Sequence, residues 1–170
     1  MQATLINTDK AQKIKIRVPP RRISEIRVPI KIKISKMQLL QKDLTNKIIE
    51  AYYDVYNILG FGFLEKVYQN AMFLELRERG FYVEAQKQIK VNFKSVFVGE
   101  YYADFFINEK VIVELKAAEC LVKENEAQLI NYLRGTDVEV GILFNFGKKP
   151  EFIRKIFTND LKPNLKIECE

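Results

Sequence analysis

Asp104, Glu114 and Lys116 carry the strongest chemical potential in the chain. Glu114 and Lys116 are two apart in a short β-type run, so on a strand their side chains leave the same face. Val111, Val113 and Leu115 then point the other way, into a core. A three-residue turn at 108–110 would pair Ile107 with Val111 and set Asp104 opposite Glu114. A two-residue turn would shift the register by one and send Asp104 to the far side. In the first register two carboxylates and an ammonium converge, a set suited to phosphodiester hydrolysis. Mg²⁺ takes carboxylate oxygens, polarises a phosphoryl oxygen and acidifies a bound water, while a lysine orients that water and offsets charge on the phosphate. The same three residues would also make a cross-strand ion pair on a solvated sheet face. Residue types alone leave both readings open.

The composition narrows the alternatives. None of the 170 residues is histidine, which excludes Ser-His-Asp and Cys-His nucleophile pairs and His-ligated zinc. Cys120 and Cys169 are the only cysteines, so a four-Cys zinc site and a disulfide framework are excluded too. Catalysis must fall to carboxylates, lysine, tyrosine or a metal held by oxygen ligands. No run approaches the length of a membrane span and no h-region opens the chain, so a cytoplasmic protein with no membrane partner is expected.

Charge is uneven. Residues 1–36 hold ten Lys and Arg against Asp9 and Glu25, a net of +8, whereas the rest holds 18 basic and 20 acidic residues, a net of −2. The first segment repeats Ile-Arg-Val-Pro at 16–19 and 26–29, and its prolines forbid a helix. It reads as a basic, flexible N-terminal arm, as leader sequence upstream of a start at Met37, or as a nucleic-acid contact. The domain proper is expected over 37–170.

The elements that must position the three residues follow from periodicity. Ile48, Ile49, Tyr52, Val55, Tyr56 and Leu59 keep helical spacing and end at Gly60. A second helix over 64–79, with Val67, Ala71 and Leu74 inward, ends at Gly80. Gly62 serves the turn between the two helices. The period then becomes two, giving strands over 83–93, 96–107 (loosened near Gly99) and 111–116. A turn at Lys94-Ser95 separates the first two. A helix spans 123–133 and an apolar strand 138–146, read as buried on both faces. Residues 152–157 fit helix or strand equally. The fold class is α/β: a mixed β-sheet flanked by helices, in the order α-α-β-β-β-α-β plus a terminal element.

Ala103-Asp104, then Glu114-Leu115-Lys116, then a helix bearing Gln128, resembles the PD-(D/E)XK nuclease superfamily, whose restriction-endonuclease-like core has this element order. Gly62-Phe63-Leu64-Glu65-Lys66-Val67-Tyr68 is similar to the G-x-x-E-x-x-Y signature of the GxxExxY family, a branch of that superfamily. The strand Ile112-Val113-Glu114-Leu115-Lys116-Ala117, the helix start Glu126-Ala127-Gln128-Leu129, and Leu143-Phe144-Asn145-Phe146-Gly147 are similar too. The resemblance covers residues 40–157; Ala103 stands where the superfamily name has proline. It implies a Mg²⁺- or Mn²⁺-dependent nuclease acting on nucleic acid, DNA first, with catalytic set Glu65, Asp104, Glu114, Lys116 and Gln128. Asp104, Glu114 and Glu65 become the metal carboxylates, Lys116 handles the water, and Gln128 positions lysine, water or phosphate.

Simpler roles remain for several of these. Glu65 could serve the helix dipole, Gln128 could be part of a solvated stripe with Glu124 and Asn131, and Tyr68 reads as packing with a polar tip. Cys120 reads as a small buried hydrophobe. A rival is a non-catalytic nucleic-acid- or protein-binding module on the same fold, and the near-neutral body speaks for it, since a nuclease needs a basic path. A protein partner or homodimer stays open.

Overall fold

The computed structural model describes residues 40–94 and 96–162. The expected arm over 1–36 and Ser95 of the expected turn lie outside the described residues.

Helix α1 (Lys42–Leu59) buries Thr45, Ile48, Ala51, Tyr52 and Val55, the apolar stripe that its periodicity predicts. It stops at Gly60, whose φ of 68° suits a residue without Cβ and whose N–H reaches the Tyr56 carbonyl at 2.7 Å. Helix α2 (Glu65–Glu78) differs from expectation: it buries Tyr68, Met72 and Leu76, while Val67 and Leu74 are exposed. The Tyr68-Met72-Leu76 line recurs every four residues and forms one continuous stripe; Val67 and Leu74 fall on its flank. Tyr68 packs as expected of a ring with a polar tip. Its hydroxyl donates to the Gly60 carbonyl at 2.9 Å and accepts the Phe63 N–H at 3.2 Å, which fixes the short link into α2.

Five strands follow: β1 (Val83–Phe93), β2 (Val96–Ile107), β3 (Val111–Lys116), β4 (Val140–Asn145) and β5 (Glu151–Ile156), with helix α3 (Lys123–Arg134) between β3 and β4. They form one sheet in sequence order, antiparallel except for the parallel β3–β4 pair that α3 connects. The terminal element, ambiguous in sequence, is the edge strand β5, where only partial burial blurs the period.

Helices α1 and α2 cover one face and α3 the other. Val111, Val113 and Leu115 of β3 and Val140, Ile142 and Phe144 of β4 join the α1–α2 core, while Ile112 and Leu143 join the α3 core. β4 is therefore apolar on both faces, whereas the face of β3 that begins with Ile112 continues with Glu114 and Lys116.

The β2–β3 turn resolves the register question. Asn108 and Glu109 take φ of 49° and 58°, and Ile107 pairs with Val111, Phe106 with Ile112 and Phe105 with Val113. The ladder ends there, so the expected Asp104–Glu114 pair is not part of it. The β1–β2 hairpin departs from simple alternation twice. Gln86 has φ of 52° and falls between the paired residues Ala85 and Lys87, after which inward positions change sides: Val83 packs with the α1–α2 core, Ile89 with α3. A second shift at Val91/Asn92 lies opposite Gly99, where the sequence reads as loosened.

Candidate active site

Glu114 and Lys116 share a face of β3, and the Lys116 ammonium donates to Glu114 Oε1 at 2.6 Å. Glu114 is 3% exposed, yet its second oxygen, Oε2, has no hydrogen-bond partner. A buried carboxylate oxygen without a donor is costly. Burial pushes the Glu114 carboxyl up to about 7; the nearby charges of Asp104 and Glu65 add to the rise, and Lys116 opposes it.

Asp104 sits where β2 and β3 part. Its Oδ2 accepts the Leu115 N–H at 2.8 Å, taking a donor that would otherwise seek a β2 carbonyl. Its Oδ1 accepts amides from Gln69 of α2 at 2.8 Å and from Gln86 of β1 at 3.1 Å. Burial raises the Asp104 carboxyl, against the lowering effects of the Leu115 N–H, Lys116, Gln86 and Lys66.

Burial alone would lower the Lys116 ammonium. The hydrogen bond to Glu114 and the fields of Glu114, Glu65 and Asp104 outweigh it, so Lys116 is held above its ordinary value. Lys116 is therefore a firm cation.

Glu65 opens α2 as its first residue and is half-buried. Burial raises its carboxyl, Lys116 lowers it, Asp104 raises it, and a main-chain hydrogen bond from Ala117 lowers it. It thus feels Asp104 and Lys116 while its own contact is to the chain just beyond β3. Among the described residues, no three acidic, histidine or cysteine side chains stand close enough to hold a metal ion together. Asp104, Glu114 and Glu65 are coupled through their fields without forming one ligand cluster. The donor set still fits a hard divalent cation: carboxylate oxygens, one of them buried and unpartnered.

Gln128 lies on α3 and does not touch Lys116; its amide donates to the Tyr132 hydroxyl at 2.5 Å. That hydroxyl donates to the Tyr102 carbonyl at 3.3 Å. Burial pushes Tyr132 up to about 12, with the charges of Glu114 and Asp104 among the further causes.

Sequence reasoning missed Gln69, Gln86, Tyr132 and Asn145. Asn145 is fully buried and clasps Ala118, accepting its N–H and donating to its carbonyl, each at 3.0 Å. A Cβ at Gly147 would come within 2.3 Å of the Ala118 carbonyl, so only glycine lets the two segments meet. Together they fix the exit of β3 just after Lys116. The Asn145-Phe146-Gly147 motif was a visible signal for this contact; nothing local marks the two glutamines. Cys120 is exposed in the loop after β3. The buried role expected for it is wrong, because that loop leaves the sheet.

A family model described as the PD-(D/E)XK nuclease superfamily matches residues 42–156, most of the described chain. The chain belongs to the PD-(D/E)XK nuclease superfamily. No curated protein matches the sequence. The crystal structure of SSO0001 is similar at 15% identity over 72% of this chain and 62% of that one, with a TM-score of 0.41. This chain therefore spans less than two thirds of that chain's length. Among the described residues no helix is long and apolar enough to cross a membrane.

Proposed function

We propose that this PD-(D/E)XK chain is a Mg²⁺- or Mn²⁺-dependent nuclease that hydrolyses nucleic-acid phosphodiesters, DNA first, and that it falls in the GxxExxY branch. The observation that carries this reading is the buried, unpartnered Oε2 of Glu114, an acceptor that a bound cation would satisfy. Asp104 and Glu114 would hold the metal, with Glu65 contributing from the start of α2. A divalent cation held there supplies Lewis acidity toward a phosphoryl oxygen and lowers the pKa of a bound water.

The chain's own groups do the rest. Lys116 as an ammonium offsets charge building on the phosphate and orients the attacking water. Gln69, Gln86 and the Leu115 N–H hold the Asp104 carboxylate in one orientation. Gln128 acts at one remove, by holding the Tyr132 hydroxyl, which the charge of Glu114 reaches. The five acid, lysine and glutamine residues all lie beyond position 36, so the basic segment 1–36 is proposed to be dispensable for folding and for metal binding.

Isothermal titration with Mn²⁺ or Mg²⁺, paired with cleavage of single- and double-stranded DNA and of RNA, tests the reading. Wild type should bind metal and cleave; Asp104→Asn should do neither. Metal binding without cleavage of any of these substrates would leave the binding module in place of the nuclease.

A further inference from the structure

A cavity of about 420 Å³ opens between the β1–β2 hairpin and the C-terminal half of α3, within the size range of ligand pockets. Its walls carry Lys90, Asn92, Tyr101, Asn131 and Arg134. Lys116, Lys155, Lys87 and Arg79 are in ion pairs, but among the described residues neither Lys90 nor Arg134 is. Glu100 faces Lys90 across the hairpin, yet its two oxygens are engaged by Gln88 and by the Tyr102 hydroxyl. Arg134 rests against the Phe157 ring, which leaves its guanidinium edge for another acceptor. Two cations outside ion pairs, two amides and a ring that is 44% exposed line one open space.

The cavity also connects to the site. The Tyr101 ring lies 5.7 Å from that of Tyr132, whose hydroxyl contacts Gln128 and feels the charge of Glu114. Gln128, Asn131 and Gly135 lie at i, i+3 and i+7, one line along α3. The six helical steps from Gln128 to Arg134 span about 9 Å.

We propose that this cavity is a subsite for the sugar–phosphate backbone of a single nucleic-acid strand leaving the scissile position, with Lys90 and Arg134 on phosphates and Tyr101 stacked on an unpaired base. This rests on the nuclease reading for what lies at Lys116. It also supplies the basic path that the near-neutral body otherwise lacks. An unpaired base is required because a ring at the cavity wall can stack only on a base released from its neighbours.

The test is fluorescence anisotropy of a labelled oligothymidylate on the full chain in EDTA, across about 50 to 200 mM salt. Lys90→Ala/Arg134→Ala should flatten the slope of log K against log salt by about 1.4, at about 0.7 per phosphate released. Tyr101→Ala should weaken binding roughly tenfold with little change in slope. Lys47→Ala/Lys110→Ala removes the same charge elsewhere; equal flattening there would overturn the subsite. Displacement of the strand by dTMP at concentrations near that of the oligonucleotide would also overturn it, in favour of a mononucleotide pocket. With Mg²⁺ present, Lys90→Ala/Arg134→Ala should raise KM, whereas Asp104→Asn should lose turnover and still bind the strand in EDTA. Wild type that binds as expected but cleaves nothing would sink the nuclease reading and spare the subsite. Normal cleavage with unchanged binding in both cavity variants would sink the subsite alone.

Discussion

Asp104 and Glu114 stand at one site in opposite conditions. Both oxygens of Asp104 are engaged: Leu115, Gln69 and Gln86 donate to it from β3, α2 and β1. Glu114 has one donor, Lys116, and an oxygen with none. The difference separates two duties that the proposed pair of metal carboxylates would share. Asp104 is built into the fold and keeps its orientation with or without a ligand. Glu114 carries the electrostatic cost of burial beside Asp104, and a bound cation would relieve it.

The largest expected effect does not tell the two apart. Asp104→Asn and Glu114→Gln should each reduce metal-dependent cleavage by on the order of 10³-fold, since a lost ligand forfeits several kcal/mol of charge stabilisation. Single-turnover cleavage at saturating Mg²⁺ checks this. A variant retaining near-normal rate would remove its residue from the metal site.

Stability should then split them. Asp104→Ala leaves the buried Leu115 N–H without an acceptor, a loss of about 1–3 kcal/mol before the two amides are considered. Glu114→Gln should be stabilising in metal-free buffer at pH 8. Burial and the Asp104 charge hold the Glu114 carboxyl at about 7, above its ordinary 4.5. Ionising it in the folded chain at pH 8 therefore costs on the order of 3 kcal/mol. Thermal melts of both variants read the two signs, and a loss of stability in Glu114→Gln would recast Glu114 and Lys116 as a structural ion pair.

The pH dependence sharpens the same contrast. Between pH 4.5 and about 7 the folded chain keeps a proton on Glu114 that the unfolded chain has released. Stability from that proton is fully present below 4.5 and is lost as pH rises through about 7. Asp104 is raised as well and acts in the same direction. Wild-type Tm in EDTA should fall between pH 5 and 8, more steeply than in Glu114→Gln. Mn²⁺ affinity should rise over the upper part of that range, because the cation must displace the Glu114 proton. A flat metal-affinity profile across pH 6–8 would mean that Glu114 does not ligate.

The sequence contained the frame of this site but not its setting. The alternation around Glu114 and Lys116 is local, and so is the Asn108-Glu109-Lys110 turn that sets the β2–β3 register. Both could be read from neighbours in the chain. Gln69 and Gln86 reach Asp104 from a different helix and strand, across folds of the chain that no periodicity records. Gln86 also takes a left-handed backbone that its residue type does not announce. Val67 and Leu74 misled for a related reason: as apolar residues near a helical stripe they looked inward, but burial followed the continuous Tyr68-Met72-Leu76 line. The strand β5 was ambiguous because an edge strand is only half covered.

Gln86 offers the smallest and most specific test of the contrast. Its φ of 52° is one that glycine adopts freely, so Gln86→Gly should keep the hairpin and its stability while deleting one donor to Asp104. Without that amide the Asp104 carboxyl should rise further, since the hydrogen bond lowers it, and its Oδ1 would keep only Gln69. Groups that orient a ligating carboxylate typically contribute about 10–100-fold to metal affinity. With Gln69 and Leu115 still in place, the loss in Mn²⁺ affinity should lie near the lower end. Isothermal titration on a variant whose Tm matches wild type reads this cleanly. An unchanged affinity would show that Asp104 needs no third donor, and that the engagement of its oxygens belongs to the fold and not to the metal.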